Sequence, residues 1–159
     1  MGAEIFLFLH IAFMFAGVAA ADGMGFLVMR IARSTDLAAI QTGFHLYEPI
    51  ARITPLFFVA GLVFGVISIF TIGFNPFEPW LLIAYALFLI QLVLGVAVAD
   101  RWQRRVREAA ARPDADPNSG DLGAVLGDPV ARNVAWVQTA LVAVFIFDMV
   151  VKPFTDRGI

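Results

Sequence analysis

Three side chains in the apolar stretches of this 159-residue chain can do chemistry together: His10, Tyr85 and Asp148. An imidazole, a phenol and a carboxylate form a hydrogen-bonded set. In it the carboxylate fixes the ring's tautomer and leaves the other nitrogen free to bind a metal or move a proton. Ionisable groups inside a membrane span cost about 2.5 to 3.5 kcal/mol on insertion scales, so those present face the bundle interior or a cavity. His10 lies six positions after Glu4, Tyr85 six after Pro79, and Asp148 four before Lys152. At about 1.5 Å per helical residue, all three sit roughly 6 to 9 Å below one interface. Depth alone leaves two readings open. In the first, His10 is the axial ligand of a haem iron, with Asp148 orienting it and Tyr85 nearby. In the second, His10 and Asp148 satisfy each other and pin the first helix to the fourth.

The remaining polar residues have plainer roles. Asp22 falls near the opposite leaflet, with Arg52 or Thr54 as its expected partner. His45, followed three residues later by Glu48, reads as a solvated surface histidine, and its depth separates it from His10, which disfavours a bis-histidine haem. Met14, Met24, Met29 and Met149 are soft donors of the kind copper accepts, but scattered methionines in apolar helices read as packing. Phe6-Leu7-Phe8, Phe13-Met14-Phe15 and Phe57-Phe58 can bracket a porphyrin or face lipid. Asp22, Gln91, Gln138 and Asp148 step across the bilayer, the arrangement of a small-ion or proton path. The chain has no cysteine, which removes disulfides, thiolate metal sites and thiol nucleophiles. It also lacks a P-loop, H-E-x-x-H or G-x-S-x-G, so the common soluble catalytic frameworks have no foothold.

The elements that must position these groups follow from hydropathy. At 60% hydrophobic, 15% charged and mean hydropathy +0.84, the chain falls outside soluble composition. The expected fold is all-α: a single membrane domain over 1–159, a four-helix bundle with a short interfacial helix between spans one and two. A hydrocarbon core of about 30 Å needs roughly 20 apolar helical residues. The spans are placed at about 5–32, 53–74, 80–99 and 133–151. The first follows Glu4 rather than a basic region, so it reads as a span and not as a cleaved signal, with Asp22-Gly23 as a weak point inside it. Ser34-Thr35-Asp36 supplies caps for the interfacial segment 36–48. Gly61 and Gly65 form a G-x-x-x-G that admits a close neighbour. A basic continuation after span three is expected to leave the membrane as helix and stop before Pro113, and the Pro/Gly/Asp-rich stretch 113–129 to be a mobile cytoplasmic loop.

Nine of the eleven Lys and Arg residues lie in the first and third connections. The positive-inside rule then makes those connections cytoplasmic and both termini external, in a prokaryotic-type cytoplasmic membrane. Lys152 and Arg157 lie on the other side. The basic residues gather on no single face, so no nucleic-acid footprint is evident. Lipid is the expected surrounding, with a homo-oligomer or a larger membrane complex as possible assemblies.

His10-Ile11-Ala12 with Phe15-Ala16-Gly17, Arg52-Ile53-Thr54-Pro55 with Leu62-Val63-Phe64-Gly65, and Val150-Val151-Lys152-Pro153-Phe154 follow one another in an order that covers most of the chain. Together they resemble the HemJ-type membrane protoporphyrinogen oxidases, and are similar to the related small four-span families that include the CopD domain. The resemblance implies a four-helix membrane bundle in which His10 matches the family's helix-one histidine, expected to serve haem b. It also implies, for an enzyme, an oxidoreductase of the protoporphyrinogen oxidase type. The family's helix-three lysine has no counterpart in Trp80-Leu81-Leu82-Ile83-Ala84-Tyr85, where Tyr85 offers a different redox or hydrogen-bonding group. The alternative is a non-enzymatic accessory or interaction subunit that uses its polar residues only for helix registry.

Overall fold

The structure, a computed structural model, describes residues 2–153 apart from the side chain of Met24; Phe154 and Arg157 lie outside the described residues. All regular structure in the described residues is helical. Four stretches are long and apolar enough to cross a membrane: Gly2–Ile31, Leu37–Ile72, Pro79–Ala110 and Gly120–Val151. The chain is thus an all-α, four-span membrane protein.

Helix α1 (Gly2–Val18) passes through a π-helical turn, Ala19–Gly23, into α2 (Met24–Ile31). The widened turn holds Asp22 and Gly23, the weak point expected from the sequence, and glycine's freedom suits a distorted turn. Helix α3 (Leu37–Ile72) opens on Asp36, whose carboxylate accepts the Ala38 N–H at 2.9 Å, and closes on Gly73 at φ 84°. Helix α4 (Pro79–Leu94) begins on a proline, whose missing N–H costs nothing in a first turn. A second π-helical turn, Gly95–Asp100, carries it into α5 (Arg101–Ala110), which ends before Pro113 as the sequence implies. Then come α6 (Gly120–Leu126) and α7 (Pro129–Val151); Asp128 caps α7 by accepting the Val130 N–H at 2.8 Å.

Two expectations need correction. Segment 36–48 is helical, but it is not a separate interfacial element: α3 runs unbroken through Pro49 and Pro55 into the span. A proline inside a helix removes one N–H and crowds the carbonyl four residues back. Pro55 leaves the Ala51 carbonyl without its helical N–H, and in the same turn the Thr54 hydroxyl donates to the Ile50 carbonyl at 2.7 Å. Burial of Ile40, Phe44 and Tyr47 on one side of the prolines and of Gly61 beyond them holds both halves in one line. The second correction concerns 113–129. This stretch contains α6, whose Leu122 is buried.

The helices pack as two antiparallel pairs. On α1 and α3, Gly17 meets Phe58, Met14 meets Gly61, His10 meets Gly65 and Phe6 stacks on Phe64. On α4 and α7, the Gln91 side chain donates to the Gln138 carbonyl at 3.2 Å, and Met149 packs against the cluster of Trp80 and Leu81. Helix α3 and the residue after its cap join the pairs, with Phe58 of α3 near Phe88 and Phe74 edge-on to Trp80 at 5.5 Å.

The largest packed core lies at the opposite end from His10 and Asp148. Val28 of α2, Ile40, Phe44 and Tyr47 of α3, Trp102 and Val106 of α5, Leu122 of α6 and Ala131 of α7 form one buried cluster. Trp102 donates its indole N–H to the Val125 carbonyl at 2.8 Å, and Gln41 donates to the Ala110 carbonyl at 2.6 Å. These elements form a cap over the basic end of the bundle.

Candidate functional site

The first residues to place are those of the α1–α3 seam. Gly17, Met14 and His10 are spaced three and four apart, one stripe of α1, and they face Phe58, Gly61 and Gly65 at the same spacing on α3. A Cβ on Gly61 would lie 2.7 Å from the Met14 sulfur, and one on Gly65 would lie 2.6 Å from His10 Nδ1. Each glycine is therefore a notch that one α1 side chain fills. The G-x-x-x-G of the sequence is this pair of notches, and lipid offers no hydrophobic drive that would replace such close backbone approach.

Within its notch His10 Nδ1 lies 2.7 Å from the Gly61 carbonyl oxygen. A carbonyl only accepts, so Nδ1 carries the proton and donates. In an α-helix the carbonyl of residue 61 already accepts the N–H of residue 65, so the imidazole takes the oxygen's second lone pair. It reaches that lone pair because residue 65 has no side chain. Among the described residues Nε2 has no hydrogen-bond partner. It is the nitrogen that the neutral ring leaves with a lone pair. A backbone carbonyl holding one ring nitrogen while the other is left free is the arrangement by which proteins orient a ligating histidine.

Asp148 does not take part in it. Its side chain is buried on α7, 2% exposed, and among the described residues neither carboxylate oxygen has a hydrogen-bond partner. The expected Asp148–His10 hydrogen bond is not formed: α1 packs along α3 and makes no comparable seam with α7. Depth placed the two residues at one end correctly but carried no information about faces. Tyr85, on α4, is 40% exposed and belongs to the same pair as Asp148. At that end Lys152 holds its ammonium 4.7 Å from the centre of the Phe74 ring and 5.3 Å from that of Trp80, and the Trp80 indole donates to Glu78 at 2.7 Å.

The expected partners of Asp22 are engaged elsewhere. Arg52 pairs with Glu48 at 2.6 Å and Thr54 bonds Ile50, so Asp22 sits in the first π turn without either. His45 is exposed on α3, as the sequence suggests. Twenty residues of α3 separate it from Gly65, about 30 Å of helix, so the two histidines cannot clasp one iron. Met14 fills the Gly61 notch, while Met29 and Met149 pack against the two hydrophobic clusters. Gln91 and Gln138 meet across α4 and α7, and the Gln91 side-chain oxygen is left without a partner.

The donor set can be tested against the group that the family resemblance implies. A bare metal ion needs three or four protein ligands, and no group of three or more His, Asp or Glu side chains is placed for one among the described residues. A haem iron brings four nitrogens of its own and needs one protein donor, which His10 Nε2 can be. The histidine therefore fits the group; the carboxylate expected to orient it is replaced by a backbone carbonyl. That replacement was hidden from sequence reading, although the stripe of positions 10, 14 and 17 facing 65, 61 and 58 was its available signal. Comparison of the chain with protein-family models, with curated proteins and with solved structures finds no match in any of the three.

Proposed function

We propose that this four-span membrane protein binds a porphyrin, haem b, through His10 Nε2 as the one axial protein ligand. The observation that carries the reading is the 2.7 Å contact from His10 Nδ1 to the Gly61 carbonyl, which sets the tautomer and frees Nε2. Gly65 supplies the notch that makes the contact possible. When bound, haem supplies one-electron redox chemistry at its iron. The chain's own part is to orient the ligating ring and to surround it with apolar side chains that exclude water. The resemblance of the sequence to the protoporphyrinogen oxidase family suggests oxidoreductase chemistry for the site. In this reading the cap faces the cytoplasm, in keeping with the nine basic residues at that end, and the site lies in the outer half of the cytoplasmic membrane.

The test is an absorbance spectrum of the detergent-purified protein, air-oxidised and then dithionite-reduced, beside His10→Ala. A Soret band that shifts on reduction and is lost from a folded variant is the expected result. Pigment retained by His10→Ala removes His10 from the role. A colourless wild-type protein, even with haem supplied during expression, removes the porphyrin reading and favours a non-enzymatic accessory subunit.

A further inference from the structure

A second polar site lies at the other end of the molecule. A cleft of about 410 Å³ opens where the α2–α3 connection meets the α6–α7 connection. Arg33, two residues beyond α2, and Arg132, in the first turn of α7, both line it. Of the seven other arginines at this end, four have carboxylate partners among the described residues. Arg52 and Arg107 share Glu48, Arg104 pairs with Asp100 and Arg112 with Asp121. Arg33 and Arg132 have no carboxylate partner among the described residues.

The carboxylate that also lines the cleft, Asp128, is engaged as the α7 cap and makes no ion pair with either arginine. The Thr35 hydroxyl and the Asn118 side chain add polar groups, and Met29 and Leu126 form an apolar wall. Two arginines lining one cleft place like charge there, which a bound anion offsets, and guanidinium matches the oxygens of phosphate in bidentate geometry. The position agrees with this. Arg33 stands two residues beyond the first apolar stretch, and Arg132 directly precedes the uncharged apolar run 133–147, so both flank spans on the side where anionic headgroups attract basic residues.

We propose that this cleft binds a phosphate group between Arg33 and Arg132, the phosphate being that of an anionic lipid headgroup or of a small soluble phosphate. The proposal is independent of the porphyrin reading, because it shares no residue with the His10 seam.

The detergent-purified full chain is titrated with phosphatidylglycerol and, separately, with inorganic phosphate, and binding is read by native mass spectrometry and by the shift in melting temperature. Saturable binding of phosphatidylglycerol is expected. Arg33→Gln should weaken it about five-fold and Arg33→Gln/Arg132→Gln about thirty-fold, with the helical circular dichroism unchanged. Both arginines are exposed, so the folded state does not depend on them. Inorganic phosphate that competes with the lipid assigns the site to a soluble phosphate; lipid binding indifferent to millimolar phosphate assigns it to the headgroup. The control is Arg101→Gln/Arg105→Gln, which removes the same charge elsewhere at this end. A loss as large as that of the cleft pair would reduce the effect to general surface charge and overturn the proposal, as would a wild-type chain that binds neither ligand.

Discussion

The membrane half and the cap of this protein bury side chains in opposite ways. In the membrane half, Phe15 and Phe70 turn outward at 74% and 69% exposure, and the contact between α1 and α3 is made by glycines. In the cap, Ile40 and Val106 are wholly inaccessible, and Trp102 fills the space between α3 and α6. Lipid is as apolar as the side chains it meets, so helices gain there by close approach and by hydrogen bonds, not by hiding apolar surface. The cap stands where water begins, and burial again drives packing. One chain thus uses two packing rules, and the boundary between them lies within α1–α2, α3 and α4–α5.

Substitutions can break this contrast at either end. The largest effect is expected from Trp102→Ala, which empties a buried indole site, removes the bond to Val125 and should cost about 3 to 5 kcal/mol. Thermal melts in detergent would measure it, and new protease sensitivity between α5 and α6 would place it in the cap. A loss under 1 kcal/mol would mean that the cap is not a water-driven core. In the membrane half the corresponding change is an addition. Gly65→Ala puts a methyl 2.6 Å from the His10 ring and expels it from its notch, for about 1 to 2 kcal/mol including the lost hydrogen bond. The same melts test it; an unchanged melting temperature would show that the seam does not rest on the glycine.

The smallest effect concerns the α5–α6 connection. The Ser119 hydroxyl and the Asn118 N–H hold the Asp116 carboxyl below the usual carboxylate range. A lowered folded value means that this order is fully present above the unfolded pKa of about 3.9 and is lost as pH falls through the lower folded value. The Asn118 amide resonance in labelled protein should therefore hold steady down to about pH 4 and move only below it. Movement centred at the unperturbed value would show that the carboxylate does not cap this turn.

The sequence made the membrane half easier to foresee than the cap. Charge-free runs such as 53–74 announce spans by length alone, and each expected span falls within an observed helical stretch, to within two residues at its ends. The cap was hidden because its pieces come from two connections far apart in the chain, each too polar to suggest a core. Leu122, Val125 and Leu126 have helical spacing, yet Pro, Gly and Asp around them point to a loop. Pro49 made 36–48 look separate from the span, since a local rule cannot register that Phe44 and Tyr47 are held by α5. At the site, depth counting brought His10, Tyr85 and Asp148 to one end, and the glycine pair announced a close contact. Which side chain occupies each notch depends on helix rotation, and no residue count reports that.

The two π turns fall at matching heights. Residues 19–23 and 95–100 begin about 25 Å along their helices and end near 30 Å, the thickness of a hydrocarbon core. A π turn is a helical turn carrying one surplus residue, and that surplus can pass to the next turn as each five-residue hydrogen bond is exchanged for a four-residue one. Moving the surplus leaves the length of the crossing unchanged, but it turns the residues that it passes about the helix axis. The two π turns stand between the histidine notch on one side and the tryptophan-filled cap on the other, so a change of facing in one half can be absorbed before it reaches the other.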